Sequence, residues 1–357
     1  MHQHQDRAVA PTRVDELIGN TPLIRLSSLS DAGCGVNVYG KLEGFNPGSS
    51  VKDRSARQLL AQAKLDYKLA PGWTIVESTS GNMGHALAML CAINGYRFIC
   101  VLDPKAPKSN IKLVKAFGGE VELVTTPDET GSFQKRRIEV AKAIARQTSN
   151  CVNLDQYNNP AAIEAHFLGT GPEIYAQTGG KTDVLIGSAS TGSHLSGTAK
   201  YLKARNPAIH VIGVEPVGSV VFGGEFRPFL QNGLGLSFTP GNILTCYVDE
   251  AIRVGDRDAF AACRHLARTD GLLLGGSSGA VLHAAREYMS RTEGPYNIVA
   301  VLPDSGLKYL DTIYDDQWLT SNGLGSLVSN HLNCPPPVET GFHDRAARVH
   351  AETAPVL

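Results

Sequence analysis

Residues 74–94 read TIVESTSGNMGHALAMLCAIN, and this segment indicates the class of fold more clearly than any other. Its first five residues are mostly apolar or β-branched and predict a buried strand. A turn rich in glycine and hydroxyl groups follows. Residues 82–94 are then apolar on nearly every side, which predicts a buried helix that ends at Gly95. A strand that passes through a glycine turn into a helix is the repeating unit of a parallel α/β sheet.

The same alternation runs through most of the chain. It predicts further strands at residues 97–103, 120–124, 183–186, 210–215, 272–274 and 297–303, and helices at 54 onward, 108–117, 134–147, 193–205, 257–269 and from 278. The pattern indicates an α/β fold of two open, mostly parallel, twisted sheets with helices on both faces. Such sheets bind ligands beyond the carboxyl ends of their strands, so chemistry is expected in the loops that follow strands.

Composition excludes several classes of protein. The 357 residues include 33 basic and 34 acidic side chains, whereas a nucleic-acid binder needs a basic surface. No apolar run approaches the roughly 18 residues of a membrane span, and the first residues lack the apolar segment of a secretory signal. Seven cysteines without a Cys-x-x-Cys pair predict scattered thiols and no metal site. We therefore expect a cytoplasmic protein without nucleic-acid or membrane partners.

One loop places a lysine where a turn becomes a helix. In NPGSSVKDR, residues 46–54, Lys52 meets the positive end of the helix dipole, which disfavours a charged amine. An amine held there gains by being neutral or by forming an imine, which is the setting of a Schiff-base lysine. A solvated surface lysine is the ordinary alternative.

Three other loops repeat the combination of glycine, hydroxyl groups and a helix start. Residues 78–84 (STSGNMG) suit a carboxylate, and residues 188–193 (SASTGS) suit a phosphate without the lysine of a nucleotide P-loop. In residues 275–279 (GGSSG), a neutral serine is placed to meet a ring nitrogen. The alternative for each loop is an ordinary capped turn.

Taken together and in this order, the loops resemble one family. KLEGFNPGSSVKDR (41–54), ESTSGNMG (77–84), SASTGSHLSG (188–197) and GGSSGA (275–280), with GNTPLIRL (19–26), are similar to the pyridoxal-phosphate (PLP) enzymes of the cysteine synthase and cystathionine β-synthase group. The resemblance runs from about residue 19 to residue 318. It implies fold type II of the PLP enzymes, with PLP in the cleft between two domains, and a homodimer.

The resemblance also implies a domain organisation. Residues 1–18 form an N-terminal extension, residues 19–46 and 158–321 the larger domain, and residues 47–157 a smaller mobile domain with the PLP lysine at its start. The segment around residues 102–137 would close over the substrate and exclude water. Residues 322–357 lack periodicity and are expected to form a mostly disordered tail.

The family's functional residues map onto this chain one by one. Lys52 matches the lysine that binds PLP and moves the α-proton, and Asn82 the asparagine at the 3′-oxygen of the cofactor. The other implied cofactor contacts are the phosphate loop Ala189, Ser190, Thr191, Gly192 and Ser193, and Ser277 beside the pyridine nitrogen. The implied substrate contacts are Ser78, Thr79, Ser80, Met83 and Gln156 at the α-carboxylate, and Gly233 near the amine.

A serine beside the pyridine nitrogen has a chemical consequence. A carboxylate there would keep the ring protonated and make it a strong electron sink, whereas a neutral hydroxyl leaves a weaker one. The weaker sink favours expulsion of a β-leaving group. We expect β-replacement on an O-activated L-serine through an aminoacrylate, with Lys52 as the base.

Segments outside the cofactor loops resemble one subgroup. VLDPK (101–105), TPDETGSFQKRRI (126–138), EPVGSVVFG (215–223) and VLPDSGLKYLDTIYDDQWL (301–319) are similar to siderophore-pathway enzymes of the staphyloferrin B type. These make N-(2-amino-2-carboxyethyl)-L-glutamate, a precursor of 2,3-diaminopropionate, from O-phospho-L-serine and L-glutamate. Arg137 is a candidate anion clamp and Tyr157 a second substrate contact, against the alternatives of a solvated arginine and a packed tyrosine.

One departure from the subgroup leaves the nucleophile open. Ala189 stands where that subgroup has serine, which removes a hydrogen bond worth about 1 kcal/mol. The nucleophile would then be another amino acid, or a small sulfur or nitrogen compound. A cysteine synthase, a cystathionine β-synthase and a threonine-dehydratase-type deaminase are alternatives. We expect no C-terminal regulatory module, and the N-terminal residues contain no Cys-Pro haem segment; both disfavour a cystathionine β-synthase. Intact Lys52, Asn82 and Ser277 disfavour a non-catalytic module.

Overall fold

The computed structural model describes residues 10–104, 106–129 and 131–329, which form two sheets. The larger sheet has the strand order β1-β2-β10-β7-β8-β9 and the smaller one the order β5-β4-β3-β6. The strands are β1 (Leu23–Arg25), β2 (Val36–Leu42), β3 (Thr74–Ser78), β4 (Arg97–Leu102), β5 (Glu120–Leu123), β6 (Cys151–Asn153), β7 (Val184–Ser188), β8 (His210–Pro216), β9 (Glu250–Val254) and β10 (Tyr296–Leu302). All neighbours pair in parallel except β1 with β2.

Helices cover both faces of each sheet. They are α1 (Lys52–Tyr67), α2 (Asn82–Asn94), α3 (Lys108–Ala116), α4 (Phe133–Gln147), α5 (Ala161–Ala165), α6 (Gly171–Gln177), α7 (Ser193–Lys203), α8 (Asp256–Thr269), α9 (Gly276–Ser290), α10 (Asp316–Ser321) and α11 (Ser326–Ser329). Alternate residues of β10 show why its sequence is a continuous apolar run. Ile298 packs on the side of α8 and α9, and Val299 on the side of α6 and α7, because both faces of the strand are buried. The predicted α/β fold class is confirmed.

The smaller sheet is built in the same way. On one face, Ile75 of β3 packs with residues of α1 and α2. On the other face, Val76 packs against Ala141 of α4. The helix predicted at residues 82–94 has these bounds in the structure, and it ends at Gly95 in the left-handed conformation.

Two predictions near the chemistry need correction. Residues 272–274 are not a strand, because only Leu274 forms an isolated bridge, to Ser305, and the segment joins no sheet. The predicted tail also begins too early. Helix α11 is folded at Ser326–Ser329, with Leu327 buried against the larger core. Residues 330–357 and 1–9 lie outside the described residues, and the domain boundaries stay a prediction.

A buried ionic cluster fixes the start of α1. Arg54, which is 2% exposed, forms salt bridges with Glu43 after β2 (2.7 Å) and with Glu173 of α6 (2.6 Å). Lys41 of β2 also contacts Glu173, at 2.7 Å. The charges of the two cations and two carboxylates therefore balance. The cluster joins the first turn of α1 to elements of the larger sheet, whereas the later turns of α1 pack in the core of the smaller sheet.

Candidate active site

Four helices begin around one cavity. Lys52 is the first residue of α1, Asn82 the first of α2 and Ser277 the second of α9, and all three line a cavity of about 530 Å³. The loop before α7 lines it through Ser190 and Thr191. The first turn of a helix leaves backbone N–H groups without intrahelical partners and carries partial positive charge, so these four starts favour an anionic ligand.

The amine of Lys52 is kept partly neutral by its surroundings. Burial lowers the pKa of Lys52 to about 8, and the charge of Asp304 only partly opposes this shift. No atom in the described part of the chain accepts a hydrogen bond from its Nζ. About a tenth of this amine is therefore unprotonated at pH 7 and available as a nucleophile or base, far more than for an ordinary lysine.

The loop between β7 and α7 forms an anion cradle. Gly192 has a φ of +86°, and a Cβ there would lie 2.6 Å from the backbone nitrogen of Ile243, so only glycine fits. The Oγ of Ser193 is buried and has no hydrogen-bond partner among the described residues. An unsatisfied hydroxyl at a helix start is suited to donate to a bound anion.

The amide of Asn82 is held from two sides. Its Nδ2 donates to Asp304 Oδ2 at 2.7 Å, and its Oδ1 accepts from Lys308 Nζ at 2.7 Å. Tyr309 donates to the same oxygen of Asp304 at 2.6 Å. Asp304 and Tyr309 line the cavity too, while Lys308 lies behind Asn82.

A second cluster joins the loop after β3 to α4. Arg137 donates to Ser80 Oγ and lies 3.2 Å from Asp103 Oδ2, to which Ser80 donates at 3.2 Å. All three residues line the cavity together with Thr79 and Met83. Arg137 is only 5% exposed, so the alternative of a solvated helix arginine is wrong.

Gln156 and Tyr157 close the cavity beneath this loop. Gln156 Nε2 donates to the carbonyl of Ser78 at 2.8 Å, and the Tyr157 hydroxyl lies 3.4 Å from the same oxygen. Both side chains line the cavity, as does Gly233 with a φ of +79°. Tyr157 also packs edge-on against Phe238.

Four of the predicted site residues do not form the cavity wall. Ser78 is buried at the end of β3, and Ala189 is fully buried in the apolar cluster that includes Tyr157. Gly192 and Ser193 are not among the lining residues either, and their loop meets the cavity through Ser190 and Thr191. The other predicted residues line the cavity: Lys52, Thr79, Ser80, Asn82, Met83, Arg137, Gln156, Tyr157, Ser190, Thr191, Gly233 and Ser277.

This arrangement of an amine, an anion cradle and an anchored amide agrees with a family comparison. The model of the pyridoxal-phosphate dependent enzyme family matches residues 14–304. The chain belongs to this family. PLP is therefore its cofactor, as predicted, and the fold is that of the type II PLP enzymes.

Relatives within the family act on serine derivatives. The chain is 39% identical to an N-(2-amino-2-carboxyethyl)-L-glutamate synthase of Ralstonia nicotianae, over 92% of this chain and 98% of the relative. It is also 39% identical to a cysteine synthase of Staphylococcus aureus, over 84% of this chain and 95% of the relative. The solved structure of an O-ureido-L-serine synthase matches with a TM-score of 0.81 at 32% identity, over 87% of this chain and 100% of that one. These relatives confirm the predicted resemblance and support PLP-dependent β-replacement on serine derivatives.

The described residues fit PLP. Lys52 supplies a partly neutral amine for its aldehyde, and the Ser193 hydroxyl without a partner belongs to a cradle that suits its phosphate. Ser277 offers a hydroxyl on the same cavity. In the described ranges no three His, Cys, Asp or Glu side chains are grouped as metal ligands, and no helix has both the length and the apolar character to cross a bilayer. Six of the seven cysteines are free thiols, and Cys334 lies outside those ranges.

Three further residues that the motifs do not indicate line the cavity: Asp103, His194 and Asp304. Asp103 follows β4 directly, and Asp304 follows β10 after a single proline. A search for polar residues immediately after every strand would have found both, because the carboxyl ends of parallel strands meet at the same edge of a sheet. His194, in the first turn of α7, gave no such signal. Burial lowers its pKa to about 3, so it lines the cavity as a neutral ring.

Proposed function

We propose that this protein transfers the 2-amino-2-carboxyethyl group of O-phospho-L-serine to the amine of L-glutamate: the Cβ–O bond breaks with release of phosphate, and a Cβ–N bond forms. The product would be N-(2-amino-2-carboxyethyl)-L-glutamate or a similar 2,3-diaminopropionate precursor, and the reaction a C–N bond-forming transfer. The observation that carries the choice of donor is Arg137, a nearly buried guanidinium on the cavity wall. A planar guanidinium binds phosphate through two parallel hydrogen bonds, which a neutral acetyl group does not require.

The chain's own groups divide the work. PLP, when bound, withdraws electrons from the α-carbon of the substrate. Lys52 removes the α-proton, since its lowered pKa leaves a neutral amine available. The residues proposed to hold PLP are Lys52, Asn82, Ser277 and the loop of Ala189, Ser190, Thr191, Gly192 and Ser193.

Substrate binding is assigned to the opposite wall. The loop of Ser78, Thr79, Ser80 and Met83, with Gln156, is proposed to hold the α-carboxylate. Because Ser78 is buried, it contributes through its backbone, which already orients Gln156. Gly233 is proposed to lie near the substrate amine, and Arg137 with Tyr157 to bind the leaving phosphate. The smaller domain would close over this site.

A cysteine synthase activity is the second candidate. It is favoured by the identity to a cysteine synthase, whereas Ala189 is fully buried off the cavity wall and does not distinguish between nucleophiles. The 39% identity to a cysteine synthase equals that to the glutamate-adduct synthase, so identity does not separate the two.

A substrate matrix tests the proposal. The PLP-loaded enzyme is incubated with O-phosphoserine or O-acetylserine, each with glutamate, aspartate or sulfide, and products are identified by mass spectrometry. We expect the glutamate adduct from O-phosphoserine with release of phosphate. Cysteine formed from O-acetylserine, without any glutamate adduct from either donor, would establish the second candidate instead. A homodimer, a cytoplasmic location and a siderophore-pathway role belong to the same proposal.

A further inference from the structure

We propose that Lys308 is a positioning residue that orients the amide of Asn82, so that an N–H of Asn82 faces the cavity as a hydrogen-bond donor. The inference rests on the proposed contact between Asn82 and the 3′-oxygen of PLP. Lys308 itself does not line the cavity, so it acts through Asn82.

The hydrogen bonds of Lys308 fix its role as a donor. Its Nζ donates to Asn82 Oδ1 at 2.7 Å, to the carbonyl of Gly48 at 3.0 Å and to that of Ser49 at 3.4 Å. An ammonium group has three N–H donors and no acceptor. The atom of Asn82 that faces Lys308 must therefore be the oxygen.

Asp304 imposes the same orientation from the other side. Its Oδ2 accepts from Asn82 Nδ2 at 2.7 Å and from the Tyr309 hydroxyl at 2.6 Å. A flipped amide would place NH₂ against the ammonium and an oxygen against the carboxylate. Both contacts would then be repulsive, so a single orientation of Asn82 is selected.

This orientation leaves one donor for a ligand. The Nδ2 group has two hydrogens. It donates one to Asp304 Oδ2, and the Tyr309 hydroxyl beside it gives its own hydrogen to the same carboxylate oxygen. Asn82 lines the cavity, so the second hydrogen is available there to an anionic or carbonyl oxygen. A cation bonded to the amide oxygen polarises the amide and strengthens this donor.

The charges around Lys308 come from three elements. Asp304 follows β10, Asp53 lies in the first turn of α1, and His85 lies in the first turn of α2. Burial lowers the pKa of Lys308, and the two carboxylates oppose that shift. Burial also lowers the pKa of His85 to about 4, so this ring is neutral near pH 7 and adds no charge.

A purely structural role for Lys308 is the competing explanation. The lysine also satisfies two carbonyls of the turn that precedes α1, and its loss would loosen that turn. The two explanations differ in what they change. A structural lysine affects stability alone, whereas a positioning lysine also affects the protonation of the bound cofactor's oxygen.

A series of variants separates donor from charge. Lys308→Arg keeps the N–H donor and the positive charge. Lys308→Gln keeps an N–H donor without the charge, and Lys308→Met removes the donor and the charge. Lys181→Met, at an exposed lysine outside the site, is the control. For each PLP-loaded protein we would measure the dissociation constant of PLP, the pH midpoint of its visible absorption band and the thermal unfolding temperature.

We expect Lys308→Met to weaken PLP binding about tenfold and to move the midpoint of the band to higher pH, because Asn82 loses the cation that polarises its amide and strengthens its N–H donor to the anionic oxygen. Lys308→Arg should restore both quantities to near the wild-type values. Lys308→Gln should bind PLP better than Lys308→Met but keep the shifted midpoint. It also serves as the test if Lys308→Met does not fold.

Unchanged PLP affinity and an unchanged midpoint in Lys308→Met, or in Lys308→Gln where only that variant folds, would overturn the proposal. A lowered unfolding temperature without a spectral change would do so as well. Neither result bears on the proposed reaction, which is tested by the products of the wild-type enzyme. Conversely, a different product would leave the role of Lys308 toward PLP intact.

Discussion

Asp103 and Arg137 form an ion pair in the cavity wall, with 3.2 Å between Oδ2 and Nη1. Ser80 bridges the pair, since its hydroxyl accepts from Arg137 and donates to Asp103. The guanidinium of Arg137 is therefore held beside the loop after β3 before any anion binds. An incoming phosphate has to compete with a carboxylate for it.

Replacing Arg137 should separate the two serine donors. We expect Arg137→Met to raise the KM for O-phosphoserine at least tenfold while that for O-acetylserine changes less than about threefold, since a charge-assisted bidentate contact is lost. Steady-state kinetics with both donors measures this. Arg136→Met, at the exposed neighbour on α4, is the control. Equal losses with both donors would show that Arg137 does not bind the leaving group.

Removing the negative partner should have the opposite effect on anion binding. Asp103→Asn leaves Arg137 without its carboxylate, and breaking a buried ion pair costs about 3–5 kcal/mol. We expect a lower unfolding temperature that added inorganic phosphate raises more than it does in the wild-type protein. Thermal unfolding across a phosphate series checks this. The same phosphate response in both proteins would contradict the idea of competition between Asp103 and an anion.

The pKa of Lys52 predicts how cofactor uptake depends on pH. Only the neutral amine attacks an aldehyde, and burial lowers the pKa of Lys52 to about 8. Incorporation of PLP into the apoprotein should therefore accelerate about tenfold per pH unit below that value and level off above it. Borohydride reduction followed by mass spectrometry should place the label on Lys52. Lys52→Ala should carry no label, and Lys181→Ala should be labelled normally.

Glu77 should make the fold less stable as the pH rises. Its carboxyl is buried near the end of β3, and burial raises its pKa to about 8 from an ordinary 4.5. A group whose pKa is raised in the folded state contributes stability that is full below pH 4.5 and is lost as the pH rises to about 8. Glu77→Gln should flatten the free energy of unfolding over this interval in denaturant titrations. An unchanged slope would mean that Glu77 is already ionised in the folded protein.

Two glycines with similar backbone angles offer a matched test of the cradle. Gly192 and Gly72 have φ values of +86° and +89°, but only at Gly192 would a Cβ meet backbone atoms, since nothing lies within 4 Å at Gly72. Gly72→Ala should cost about 1–3 kcal/mol from backbone strain alone. Gly192→Ala should cost about 1–3 kcal/mol more and weaken PLP binding. Equal effects on unfolding and on PLP affinity would show that the loop adapts without loss.

The strands, the long helices and the loops between them could be predicted from local pattern. The bounds predicted for the strand at residues 74–78 and for the helix at 82–94 are correct. The apolar pattern and the helix stop at Gly95 are local signals that a single segment contains. The strand expected at 272–274 failed for the opposite reason. Three leucines have strand-like composition, but a sheet needs a neighbouring strand edge, and sequence does not show which edges are already paired.

The contacts behind the site could not be predicted in the same way. Lys308 reaches Asn82 across 226 residues of sequence, and Arg137 reaches Asp103 from a different element. No local pattern encodes such partners. The prediction for Ala189 shows the same limit, since its position in the loop was clear but its burial behind the wall depends on packing against Tyr157.

The buried charges around Arg54 bear on the proposed closure of the smaller domain over the site. Arg54 joins the first turn of α1 to Glu43 and Glu173, so Lys52 stays with the larger sheet and the loop before α7. The loop after β3 and helix α4 have no such ion pair among the described residues, although Gln134 of α4 accepts hydrogen bonds from Ser237. Any rotation between the two sheets would then pivot near Lys52. The groups proposed to bind the substrate carboxylate and the leaving phosphate would then move toward a stationary amine, and the distance from that amine to the proposed cofactor cradle would not change.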